Sequence, residues 1–351
     1  MLNDKIQKQE GGDSSTNLQG QVVNVYQGIS YADAKEIALD VFSSNFIQLK
    51  NEAAEIAKHR AEEITEALLE KLIERAPDAI QEFKQPGMQD SLFTAQKEYA
   101  KSGDRELGDL LVDILVDRAN SPKRNMMQII LDEALRIAPK LTIEQLDTIT
   151  LSFLLTRTVR RDVNNLERFG LYITKYILPF VDSLTAERSD YNYIEYLGCG
   201  QIRAGNYGQL ENKFLHTYKA VFQEGFSKED FEMEVGQIDS FRDFIISCFH
   251  NPTLFQLNAL NDSVLEEIMT AAGVDEDIKK KLQGIFNKST MKPSQVKEYI
   301  VGIDSNLNKI FEVWENTPMI NLELTSVGIA IAHSNYRRRI GDAMNLSKWI
   351  K

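Results

Sequence analysis

The chain has 351 residues, 43% of them hydrophobic and 26% charged, enough apolar material for one large core or several smaller ones. Its net charge of −12 repels nucleic acid and anionic membranes except at local patches. Two cysteines, Cys199 and Cys248, are too few for a disulfide framework and fit a reducing cytoplasm. The opening "MLNDKIQKQEGGDSS" has no apolar stretch of the signal-peptide kind. No run of about 18 apolar residues predicts a membrane span. No cofactor-binding or metal-binding signature is present.

In chain order, residues 1–28 read as a flexible leader. Within it, residues 14–28 carry an apolar alternation in "QVVNVYQ" that is expected to form strands between copies of the chain. Val23 and Val25, with Leu18, would pack on one side. Asn17, Gln19, Asn24 and Gln27 would form amide ladders between identical chains. The predicted partner is therefore the protein itself. A disordered leader is the alternative, and a closed barrel-like assembly would satisfy the same chemistry without an open edge.

Ser30 then offers a helix cap, with Asp33 at the box position. From there to Ala76 neither Gly nor Pro intervenes, which predicts one long helix over 30–76, about 65 Å in length if unbroken. It could serve as a stalk, break once, or pair as a coiled coil. Pro77 closes it, and 84–90 reads as a loop. Helices are predicted over 91–103, 105–119, 124–138 and 141–155, the last with Thr142 as cap and Gln145 at the box position. Residues 149–155 and 172–181 read as buried helix interior. Further helices are expected at 191–205, 209–227, 240–250, 251–257, 262–273, 275–286 and 292–316. The sum is a mainly all-α, multi-helix bundle. Its expected divisions are 29–200 and 201–351.

Near the other end, "INLELT" alternates as a strand and leads through Thr325 into a helix over 325–339. A short strand flowing into a helix in this way looks winged-helix-like.

Four segments resemble, in one order, an uncharacterised family of bacterial proteins of similar length. They are "GISYADAKEIALDVFSSNF" (28–46), "AQKEYAKSGDRELGDLLVDILVDRA" (95–119), "EYLGCG" (195–200) and "LELTSVGIAIAHSNYRRR" with "LSKWI" (322–350). The resemblance implies a place in phage-defence gene neighbourhoods, and with it an abortive-infection or immunity role. It carries no activity and no catalytic residues.

Candidate chemistry is sparse. Cys199 lies between glycines in "LGCGQIRAG", where backbone could approach a ligand, or where a helix merely ends on a small buried thiol. Arg242 and His250, in "FRDFIISCFH", are similar to the Arg-to-His pairs of some helical ribonucleases, but seven residues separate them. On a helix that is about 12 Å along the axis, too far for one phosphate. Arg337, Arg338 and Arg339, followed by Lys348 and Trp349, could contact phosphates, or be a solvated helix end whose cations oppose the helix dipole. Two functions follow. One is a cytoplasmic, homo-oligomerising protein that acts by assembly and by binding an unknown protein partner. The other is an effector that cuts or binds nucleic acid through its C-terminal half.

Overall fold

The computed structural model describes residues 29–45, 51–205, 207–342 and 344–350. The expected β segment, with Asn17, Gln19, Val23, Asn24, Val25 and Gln27, lies outside the described residues. Helices α1 (Tyr31–Asn45) to α8 run on as α2 (Asn51–Arg75), α3 (Pro86–Ser102), α4 (Arg105–Ala119), α5 (Met126–Ile137), α6 (Ile143–Arg157), α7 (Leu166–Tyr172) and α8 (Arg188–Tyr196). The strand β1 (Gly200–Ile202), α9 (Leu210–Thr217), α10 (Lys228–Glu234), β2 (Ile245–Ser247) and β3 (Phe255–Leu257) come next. The chain continues through α11 (Asp262–Ala271), α12 (Glu276–Lys288), α13 (Pro293–Ile303), α14 (Asn308–Asn316), β4 (Leu322–Leu324) and α15 (Ser326–Ile340). The fold is mainly all-α; among the described residues strands occur only in two short antiparallel pairs, β1 with β4 and β2 with β3. No helix among the described residues is long and apolar enough to cross a membrane.

The helical run over 30–76 is two helices folded against each other. Ser30 caps α1, its hydroxyl and Asp33 exchanging bonds with each other's backbone amides. Lys35 of α1 meets Glu66 of α2 at 2.5 Å, whereas 31 residues along one straight helix would separate them by about 46 Å. Phe42 sits with Ala57 and Ala61 in one small apolar cluster, and the buried amide of Gln96 ties Ala38 to Thr65. The hairpin buries the apolar stripe that a free stalk would leave in water. Arg60 is used locally: its guanidinium bonds the Ala100 carbonyl at 2.9 Å and closes over Gly103, the left-handed residue that ends α3.

Other expectations shift too: the helix expected over 191–205 ends at Tyr196 and gives way to β1, and the one expected over 209–227 ends at Thr217. Residues 86–90 belong to α3, whose first residue is Pro86; a proline costs nothing there, because that position has no intrahelical donor role. Residues 240–250 and 251–257 are not α-helical: a 3₁₀ helix over Ile238–Phe244 leads into β2, a turn follows, and β3 returns. The β-branched and aromatic residues there, Ile245, Ile246 and Phe255, pair as strands. The segment 292–316 divides at Asp304, which has extended backbone and caps the next turn through Asn306.

One apolar cluster reaches from Ala34 to Ile350, and a second, smaller one gathers residues 226–286 around Phe231, Met269 and Phe286. Inside the first, α6 is buried on every side from Gln145 to Leu155, its polar residues Gln145, Asp147, Thr148, Thr150 and Ser152 included. The capping box at Thr142 and Gln145 is formed. Helix α15 lies at the centre, packed on α4, α5 and α6 and buried from Gly328 to Arg337. Thr325 caps it. The strand-into-helix passage therefore exists, but it delivers a core helix; a winged-helix recognition helix must keep one face open to a groove.

Candidate functional site

The glycines around Cys199 serve helix packing. The Cys199 carbonyl accepts the Thr325 amide at 3.1 Å, and a Cβ on Gly328 would fall 1.9 Å from that same oxygen. The close backbone approach suggested by "LGCG" is thus to α15. The Cys199 thiol is fully buried, and burial pushes its pKa up to about 12, the reverse of a reactive thiolate.

Arg242 and His250 lie on different segments. Arg242 projects into solvent and pairs with Asp239 at 2.7 Å. The His250 ring shares a hydrogen bond with the Val221 carbonyl at 2.7 Å and stands edge-on to Tyr299. With β2 between them there is no common helix face on which to hold a phosphate. Cys248 is also buried, its Sγ 3.5 Å from the Gln223 carbonyl. Among the described residues no three of His, Cys, Asp or Glu are grouped to hold a metal ion.

The arginines of α15 are taken up by carboxylates of the protein itself. Arg337, 7% exposed, donates both terminal nitrogens to Asp117 at 2.9 Å each, and one also to the Asp113 carbonyl at 2.8 Å. The fully buried Asp113 carboxylate also takes Arg75 at 2.7 Å and Lys71 at 3.3 Å, both from α2. Arg338 pairs with Glu106 at 3.2 Å and donates to the Asn335 side chain. Arg339 pairs with the buried Asp147 and caps the Pro179 carbonyl at 2.7 Å. Asn335 adds a bond to Asp147 at 3.0 Å. Next to this seam, His333 is 1% exposed, its Nε2 bonded to the Met344 carbonyl and its Nδ1 3.9 Å from Asp117. Burial holds that imidazole below its ordinary pKa. No cation of this trio is left for a phosphate.

Cations and rings gather instead in a cleft of about 700 Å³ where α6, the turn after it, α7, α15 and the last residues converge. Arg157, Arg160, Arg161 and Lys348 line it, with Asp162 the one carboxylate in the lining. Tyr172, Tyr176, Tyr336 and Trp349 supply rings. The tyrosines form a row, Tyr172 to Tyr176 at 6.4 Å and Tyr176 to Tyr336 at 6.3 Å between ring centres, each pair near parallel. A turn of π-helix over Ile173–Ile177 continues α7 just where Tyr176 enters; such turns are costly and concentrate at functional sites.

Each wall group is held in place. Arg160 stacks 4.0 Å over Tyr176 and pairs with Asp162 at 3.0 Å and Asp342 at 3.4 Å. The Arg160 guanidinium keeps Asp162 below the usual carboxylate range. A Tyr176 hydrogen bond, then Lys175 and Arg160, do the same for Asp342. The Trp349 indole donates to the Arg157 carbonyl at 2.8 Å and its ring meets Phe153 edge-on at 4.9 Å. Arg157 pairs with Glu323 at 3.3 Å. Arg161 and Lys348 differ: both are exposed, and among the described residues neither has an ion-pair partner.

A protein-family model matches residues 28–350. This chain belongs to that uncharacterised family. No curated protein and no solved structure matches it. The matched span takes in the whole helical body of this family member, the cleft included. Lys348 and Trp349, which follow the arginine trio in sequence, line the cleft, as does Tyr336. Sequence reasoning passed over Arg157, Arg160 and Arg161. Their signal is three arginines within five residues of an acidic chain; apart from Asp162, the carboxylates that position them, Glu323 and Asp342, lie 166 and 182 positions on, out of reach of any local pattern.

Proposed function

We propose that this protein acts by assembly and partner binding rather than by catalysis, in the cytoplasm and in prokaryotic antiviral defence. The cleft is its recognition site. The observation that carries this reading is the division of labour among polar side chains. Both thiols are buried, the two histidines nearest candidate chemistry are bonded to backbone carbonyls, and the free cations stand together beside aromatic rings. That is the make-up of a binding site. Self-association is assigned to residues 14–28, whose amide and valine pattern suits pairing between identical strands. The defence role rests on the sequence resemblance. A nuclease using Arg242 and His250 is disfavoured by their separation across β2.

Size-exclusion with light scattering on the full chain, beside a Val23→Lys/Val25→Lys variant, tests the assembly. Wild type should be a homo-oligomer at micromolar concentration and the variant a monomer, because two buried charges per strand disfavour the stack. A monomeric wild type sinks the assembly reading, and equal oligomers move the interface elsewhere.

A further inference from the structure

The cleft lining brings an aromatic ring and unpaired cations together, and the combination specifies a ligand class. Trp349, half-buried, is fixed by its bond to the Arg157 carbonyl and its edge contact with Phe153. Tyr176 and Tyr336 are buried and back the same cleft. An indole held this firmly offers planar apolar surface at little entropic cost. Arg161 and Lys348, in the same lining, carry positive charge with no carboxylate of their own among the described residues. A flat ring system with a compact multiple negative charge answers both features.

We propose that the cleft binds a nucleotide, its base against Trp349 and its phosphates on Arg161 and Lys348. The inference rests on the binding reading above and names its ligand. The volume, about 700 Å³, falls within the range of about 300–1,000 Å³ that small-molecule sites occupy. A mononucleotide is favoured over a nucleic-acid strand by charge. The chain as a whole carries −12, so a polyanion extending past the cleft meets repulsion within a Debye length of about 8 Å. A nucleotide ends where the cations end.

The protein supplies its own reporter. Of its two tryptophans, Trp314 is 1% exposed and donates to the Gly208 carbonyl, so a change in tryptophan emission on ligand binding reads Trp349. The full-length chain is titrated with ATP and GTP, with inorganic pyrophosphate, and with a short single-stranded RNA, by fluorescence and by calorimetry. Nucleotides should quench the emission and bind at least about tenfold more tightly than pyrophosphate, the base adding its stacking to the charge. Arg161→Glu/Lys348→Glu, which changes only exposed side chains, should weaken nucleotide binding by at least about tenfold. Trp349→Phe should abolish the quench while calorimetry still detects heat. Pyrophosphate binding as well as nucleotide overturns the nucleotide assignment and leaves an anion-binding cleft. RNA binding without mononucleotide binding overturns it in favour of a nucleic-acid surface. No heat with any probe overturns the nucleotide assignment and leaves the recognition reading to be judged by partner binding alone.

Discussion

The arginines at 337–339 and those at 157–161 are the same residue in two settings. The first group lies on a central helix facing Asp113, Asp117, Asp147 and Glu106, and its charge is consumed by the fold. The second lies where α6 ends and the chain turns, with carboxylates enough to position Arg157 and Arg160 but none for Arg161. A basic run is thus no measure of available charge. What decides is whether neighbouring elements bring carboxylates to it, and α4 and α6 bring them to one group only.

The widest expected gap between the two regions comes from removing a buried acid. Asp113→Ala takes a buried carboxylate from Arg337, Arg75 and Lys71, and Asp147→Ala takes one from Arg339 and the buried Asn335 amide; each should lower unfolding free energy by about 3 kcal/mol. Chemical denaturation measures it; a loss below about 1 kcal/mol for both would show that the seam is no more structural than the cleft. Next is Gly328→Ala. Its new carbon must push α15 off the Cys199 carbonyl, an overpacking cost of about 1–3 kcal/mol, visible as a lower melting temperature. A neutral substitution would mean that α15 is free to shift.

A pH response sharpens the contrast further. Burial keeps His333 neutral below its ordinary titration range. Above about pH 6.5 the imidazole is neutral in both folded and unfolded chains. As pH falls through that value the unfolded chain binds a proton that the folded chain refuses, so stability declines. The groups facing this ring are Asp117, Asp113, Arg337 and the Met344 carbonyl. His333→Gln should flatten the decline between about pH 7 and pH 5.5; an unchanged slope assigns it to another group. The smallest effect belongs to the cleft: Arg161→Glu/Lys348→Glu should leave stability within about 0.5 kcal/mol of wild type, since neither cation has an ion-pair partner among the described residues. A loss comparable to that of Asp147→Ala would erase the distinction between the regions.

Local chemistry was readable from the chain because it acts over a few residues. The box at Thr142 and Gln145, the Ser30–Asp33 cap, the strand in "LEL" and the buried helix around Phe153 each follow from spacing and composition. The misreadings come where two such signals compete. The stretch 240–257 has helix-compatible spacing and also strand-forming side chains, and β2 wins because β3 lies within reach to pair with it. The unbroken helical pattern over 30–76 cannot show that its own apolar face folds back on itself.

By itself the sequence determined a mainly helical protein, where most helices start, and the apolar residues that form its core, since these depend on periodicity and on caps within a turn of each other. Only the tertiary structure decided which charges are spent and which remain. Asp113 and Arg337 are 224 positions apart and form a buried network; Arg161 and Lys348 are nearly as distant and share a cleft. Charge is additive along a sequence, but its availability depends on what three-dimensional packing sets beside it.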